Sequence, residues 1–147
     1  MIKDLLDLQK VDFDVEAKDW EDALRKAAGY LVETGKISGA YVENMIQAVH
    51  EKGPYIVIMP GVAFGHARPD ESVFESCLHM IRLKHPVEFG SKHNDPVKVV
   101  FVFASKEEKG HLGVMRGIAK MLVDEDNVDI LLNEEDKDRV LELLGRY

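Results

Sequence analysis

Hydrophobic and polar residues change their period along the chain, and the changes mark out its elements. Trp20, Leu24, Ala27, Ala28 and Leu31 recur at helical spacing behind Asp19, and Gly35 offers a left-handed stop, so a helix is predicted between them. A second helix is predicted after Ser38, where Val42, Met45, Ile46 and Val49 keep the i, i+3, i+4, i+7 rhythm as far as Gly53. The pattern then shortens. Tyr55 to Met59 is a β-branched apolar run closed by Pro60-Gly61, and Val62 to Phe64 leads into a Gly-His turn, which reads as strand, loop, strand. Val73 to Leu83 alternates as a strand does, Gly90 to Pro96 is a polar loop, and Val97 to Ala104 is almost continuously apolar, as a central strand covered on both faces should be. From His111 the helical period returns, with Met115, Ile118, Ala119 and Leu122 on one stripe and Val140, Leu141 and Leu144 on another.

Two helices, a block of strands and further helices imply an α/β fold, a sandwich in which a mixed β-sheet is flanked by α-helices. With 147 residues, 46% of them hydrophobic, and no internal repeat or linker, the chain reads as a single domain over residues 1–147. The net charge of −8 disfavours nucleic acid or an anionic membrane as main partner, because both require clustered Lys and Arg. That excess is uneven: the segment His50 to His93 carries five basic and five acidic residues and five of the six histidines. A lone Cys77 makes neither an internal disulfide nor a thiolate cage, which fits a reducing cytoplasm. The first ten residues are interrupted by Lys3, Asp4 and Asp7, so no membrane insertion is expected. Neither a phosphate-cradling Gly-x-x-x-x-Gly-Lys nor a His-Glu-x-x-His pattern occurs, and no cofactor or metal is expected.

The histidines carry the chemistry. His66 stands in Pro60-Gly-Val-Ala-Phe-Gly-His-Ala-Arg-Pro69, where Gly61 and Gly65 permit unusual backbone paths, Ala67 leaves the ring uncrowded and Arg68 is a strong donor to a phosphate oxygen. Such a loop suits phosphorylation of an imidazole; a turn histidine that merely ends a strand fits equally well. His111 starts a helix, where free amides favour anions. His79 shares a strand face with Cys77, Ile81 and Leu83 and reads as a satisfied core or rim residue; His85 and His93 read as solvated, and His50 as complementing the end of its helix.

The segment around His66 resembles the active-site loop of the enzyme IIA domains of the bacterial phosphoenolpyruvate:sugar phosphotransferase system, in the fructose/mannitol superfamily. The likeness continues through Leu83-Lys-His-Pro-Val-Glu-Phe89, Asn94-Asp-Pro-Val-Lys-Val-Val-Phe-Val-Phe-Ala104 and His111-Leu, and ends in Val140-Leu-Glu-Leu-Leu144. Gly53-Pro-Tyr55, His66-Ala-Arg-Pro69 and Asn94-Asp-Pro-Val97 look most like the L-ascorbate branch. The resemblance implies a cytoplasmic phosphocarrier. His66 would accept a phosphoryl group on Nε2 from phospho-HPr and pass it to a IIB component, which serves the membrane transporter IIC; His111 would assist. Gly65, Ala67 and Arg68 are the expected phosphoryl-binding residues. Two positions depart from the family pattern: Gly65 replaces the usual proline, which suggests a more mobile loop, and His50 stands where many members have arginine, so a protonated His50 is a further candidate cation. A regulatory IIA-like protein that signals without transport is the competing reading, and a histidine-cluster metallohydrolase a third.

Overall fold

The computed structural model describes residues 2–147, apart from the side chain of His111. Helix α1 (Ile2–Leu5) and a short 3₁₀ turn precede strand β1 (Asp12–Val15); then come α2 (Trp20–Glu33), α3 (Gly39–Lys52), β2 (Val57–Met59), β3 (Val62–Gly65), β4 (Cys77–Val87), β5 (Val97–Ala104), α4 (His111–Leu122), α5 (Glu125–Asn133) and α6 (Lys137–Gly145). The strands form one sheet in the order β1-β4-β5-β3-β2. It is mixed: β1 with β4 and β3 with β5 are parallel, whereas β4 with β5 and β2 with β3 are antiparallel.

Both faces of the sheet are covered, and β5 shows why its sequence is apolar throughout. Val100, Val102 and Ala104 pack under α2 and α3 with Leu24, Met45 and Val49. Val99, Phe101 and Phe103 face the other way, against Ile118, Leu131 and Leu143 of α4, α5 and α6. Helix α2 begins where the Asp19 carboxylate accepts the Asp22 N–H at 2.8 Å. It ends in a Schellman turn, with Gly35 at φ 74° and the Lys36 and Gly35 amides returning to the carbonyls of Leu31 and Val32. Ser38 stands at the N-cap of α3, but its side chain makes no cap bond; its main-chain N–H instead donates to the Ser72 carbonyl.

Four expectations shift. Strand β4 runs from Cys77 to Val87 rather than from Val73 to Leu83. Val73 belongs to a turn in which its amide returns to the Asp70 carbonyl, and the exposed Lys84-His85-Pro86 continues the strand beyond the point where its neighbour β1 has ended. The buried stripe of α4 is Val114, Ile118, Met121 and Leu122, with Ala119 exposed, and that of α6 is Val140, Leu143 and Leu144. Strand β1 and helix α5 have no counterpart in the sequence reading. Finally, Gly65 is not a loop residue: it is the last residue of β3, registered on Val102, and a Cβ there would stand 2.8 Å from Met45 Sδ. Close packing therefore explains this glycine, and the expected extra mobility does not follow from a buried strand position. Gly61, at φ 84° in the β2–β3 turn, is the one that needs a left-handed backbone.

Arg82 is buried in the middle of β4. Its guanidinium donates to the carbonyls of Ile130, Leu131 and Glu134 at the end of α5 and lies 4.5 Å above the Phe13 ring.

Candidate functional site

The carboxyl ends of the parallel pair β3 and β5 open side by side, because Gly65 and Val102 are in register two residues before Ala104. Loops leaving the carboxyl ends of neighbouring parallel strands leave a crevice between them, the usual place for a site in an α/β sheet. Here the crevice is a cavity of about 710 Å³ whose walls include His66, Ala67, Arg68 and Pro69 after β3, Ser105, Glu108 and Lys109 after β5, Leu112 and Met115 of α4, and Lys52 and Tyr55.

His66 is half-buried and fixed from three sides. Its Nδ1 lies 2.8 Å from the Phe64 carbonyl oxygen. A carbonyl only accepts, so Nδ1 carries the proton, and the lone pair of the neutral ring is on Nε2. Tyr55 donates its hydroxyl to the His66 carbonyl at 2.7 Å and sets its ring edge-on to the imidazole, with centroids 5.4 Å apart. Next along the chain, the Ala67 N–H donates to the Tyr41 hydroxyl at 2.9 Å, and that hydroxyl donates to the Phe103 carbonyl at 2.8 Å. Tyr41 thereby ties α3 and the end of β5 to the loop that follows β3. Burial pushes its hydroxyl well above the ordinary tyrosine range, and it raises that of Tyr55 as well, so both stay protonated donors.

The loop after β5 is held by Ser105, whose hydroxyl accepts the Glu107 N–H and donates to the Glu107 carbonyl. Gly110 lies against it, since a Cβ there would come within 2.7 Å of Ser105 Oγ. Gly110 supplies no side-chain cap to α4, whose first-turn amides begin at His111 beside the cavity.

Of the expected site residues, His66, Ala67 and Arg68 line the cavity, Gly65 lies buried behind it, and His111 opens α4 with its side chain outside the described residues. The Ala67 amide is engaged by Tyr41. His50 points elsewhere: its Nε2 lies 2.5 Å from Glu21 Oε1 and its ring packs on Trp20 at 5.0 Å. His79 is a core residue, though not a satisfied one, since both its ring nitrogens are buried without a hydrogen-bond partner. His85 and His93 are exposed. Among the described residues no group of three or more His, Cys, Asp or Glu gathers as a metal-binding cluster, and no helix is long and apolar enough to cross a membrane. Sequence reasoning missed Tyr41, Lys52, Ser105 and Lys109 as site residues. Tyr41 had a signal, a hydroxyl inside the apolar stripe of α3; the others depend on which loops the sheet order brings together.

Residues 4–147 match the profile of the family described as phosphoenolpyruvate-dependent sugar phosphotransferase system, EIIA 2. The chain is 32% identical over 144 residues to the ascorbate-specific PTS system EIIA component of Shigella boydii serotype 4 (strain Sb227), covering 97% of this chain and 93% of that protein. It is 31% identical, with the same coverage, to the component of that name from Escherichia coli (strain K12). Its fold matches the mannitol-specific cryptic phosphotransferase enzyme IIA CmtB of Escherichia coli, with TM-score 0.87 at 23% identity over 99% of both chains. It also matches Escherichia coli enzyme IIAMTL, solved in complex with phosphorylated enzyme IIBMTL, with TM-score 0.81 at 24% identity over 97% of this chain and 100% of that one. With the whole fold and nearly the whole sequence accounted for in this way, the chain belongs to the EIIA 2 family of the phosphoenolpyruvate-dependent sugar phosphotransferase system.

Proposed function

We propose that this chain is a cytoplasmic phosphocarrier of a sugar-transporting phosphotransferase system: His66 accepts a phosphoryl group from phospho-HPr and passes it to a cognate IIB component. The observation that carries the reading is the bond from His66 Nδ1 to the Phe64 carbonyl, which sets the tautomer and leaves the lone pair of Nε2 as the nucleophile in a crevice lined with cations.

In the transfer, Nε2 attacks phosphorus as the donor's P–N bond breaks. The donor ring leaves with the electron pair, and the proton on Nδ1 stays against the Phe64 carbonyl, which stabilises the positive charge that develops on the ring. The reverse sequence delivers the group to IIB. Arg68, and His111 at the uncapped start of α4, stand for electrostatic support of the phosphoryl oxygens. The cavity is far roomier than a phosphoryl group needs, and its rim offers the exposed Leu112 beside Tyr55, so a partner's side chains have an apolar place to enter. IIB as the recipient is supported by the fold neighbour whose structure includes its phosphorylated IIB. Ascorbate as the transported sugar is supported by the names of the relatives.

The test is incubation with phosphoenolpyruvate, enzyme I and HPr, followed by assay for acid-labile, alkali-stable phosphate, then chase with candidate IIB proteins. Label on His66 that an ascorbate-system IIB removes is the expected result. Label that persists in His66→Ala would refute the assignment of the acceptor. Label that no IIB removes would favour a signalling role.

A further inference from the structure

We propose that the phosphoryl group on His66 is held by the ammonium groups of Lys52 and Lys109, two side chains that reach the cavity from separate elements. The inference rests on the phosphocarrier reading and assigns the groups that stabilise the transferred charge.

Two amides beside the ring are already committed: Phe64 N–H donates to the Ile56 carbonyl at 2.7 Å, and Ala67 N–H donates to Tyr41. The hydroxyls of Tyr41 and Tyr55 are committed to main-chain carbonyls. Main-chain donors are thus confined largely to the first turn of α4, and a dianionic group on Nε2 calls for side-chain cations as well.

Charge comes next. The cavity wall carries Lys52, Arg68 and Lys109 against one acid, Glu108, in a protein whose net charge is −8. His50 does not contribute, since Glu21 holds its ring on Trp20.

Among the described residues, three of the thirteen lysines are committed to carboxylates, and Lys52 and Lys109, like most of the rest, are not. Lys26, Lys36 and Lys84 lie within ion-pair distance of Asp22, Glu75 and Glu16. Among the described residues, neither Lys52 nor Lys109 has a carboxylate partner, although the chain is rich in acids. Lys52 ends α3 and Lys109 lies in the loop before α4, so the two reach the cavity from different elements. An ammonium on a flexible stem is a movable point charge, suited to following a phosphoryl group as it shifts from donor to acceptor nitrogen.

Phosphoramidate, which phosphorylates imidazoles with release of ammonia and needs no docking partner, is the probe. Initial rates of phospho-His66 formation are measured with phosphoramidate and, separately, with phospho-HPr, at low and high salt. The proteins are wild type, Lys52→Ala, Lys109→Ala, the double variant, Lys52→Arg/Lys109→Arg, and Lys92→Ala as an exposed control on the Gly90–Pro96 loop. We expect each alanine variant to slow labelling about five-fold with either donor and the pair more than ten-fold, with a flatter salt dependence, rescue by arginine and no change in Lys92→Ala. A double variant labelled by phosphoramidate at the wild-type rate overturns the proposal. So does a defect seen only with phospho-HPr, which would make the lysines docking residues. Failure of wild type to take label from either donor would instead sink the phosphocarrier reading itself. Both lysines are exposed, and unchanged circular dichroism and melting temperature confirm that the variants are folded.

Discussion

His66 and His79 are both imidazoles at the sheet, both packed near a tyrosine, and their surroundings give them opposite characters. His66 is half-buried, has one ring nitrogen anchored on a carbonyl, and stands in an open crevice. His79 is wholly buried on β4, with its ring 4.9 Å from that of Tyr30 and Nε2 3.7 Å from Asp12, too long for a hydrogen bond. Burial lowers its pKa below the ordinary histidine value despite the pull of Asp12, so it is kept neutral. On the phosphocarrier reading, what sets His66 apart is thus one nitrogen tied down in an open crevice rather than its being a histidine.

The sharpest way to break that contrast is to remove the anchored ring. His66→Gln should abolish phosphoryl incorporation while leaving the melting temperature close to wild type, and peptide mapping of the labelled wild type should find phosphate at His66 and none at His79.

A second test addresses the buried ring through pH. Because the folded-state pKa of His79 lies below its ordinary 6.5, the unfolded chain takes up the proton first, and the contribution of His79 to stability becomes unfavourable as pH falls below that value. The loss should reach at most about 1.4 kcal/mol per pH unit. His79→Leu should match or exceed wild type at pH 7, since it removes two unpartnered nitrogens, and should flatten the decline between pH 6.5 and 5 in urea melts. An unchanged slope would show that other groups govern acid stability.

Tyr41→Phe tests the scaffold of the reactive side. It leaves the Ala67 amide and the Phe103 carbonyl without their partner, at a cost of about 1–3 kcal/mol, and should slow labelling of His66 through a looser loop. The smallest expected effect is that of Gly65→Ala, about 1–2 kcal/mol by thermal melting, since the new methyl meets the flexible ends of Met45 and Leu24. A loss well above that range would mean that those side chains cannot move aside.

The same contrast shows what sequence can reveal. Helices α2 and α3 were legible because cap, apolar stripe and terminal glycine agree, and β5 because a strand packed on both faces has no polar positions. Strand β1 was passed over although Val11-Asp12-Phe13-Asp14-Val15 alternates as a strand does, because four residues at a sheet edge with two aspartates make a short signal. The end of β4 was misplaced because Lys84-His85-Pro86 is extended and yet solvated, a consequence of where its neighbour stops. His66 and Arg68 were legible from local chemistry and family pattern. Tyr41, Lys52 and Lys109 were not, since their place in the site follows from the sheet order, which sets the β3 and β5 loops side by side and brings the end of α3 to them.

The Arg82 guanidinium joins the centre of β4 to the last carbonyls of α5. A nine-residue helix is too short to persist alone and would ordinarily fray from its carboxyl end. Here fraying would strip a buried cation of its acceptors, so the helix end and the strand open together or not at all. In hydrogen exchange the last turn of α5 should therefore report the global unfolding of the domain rather than local fraying.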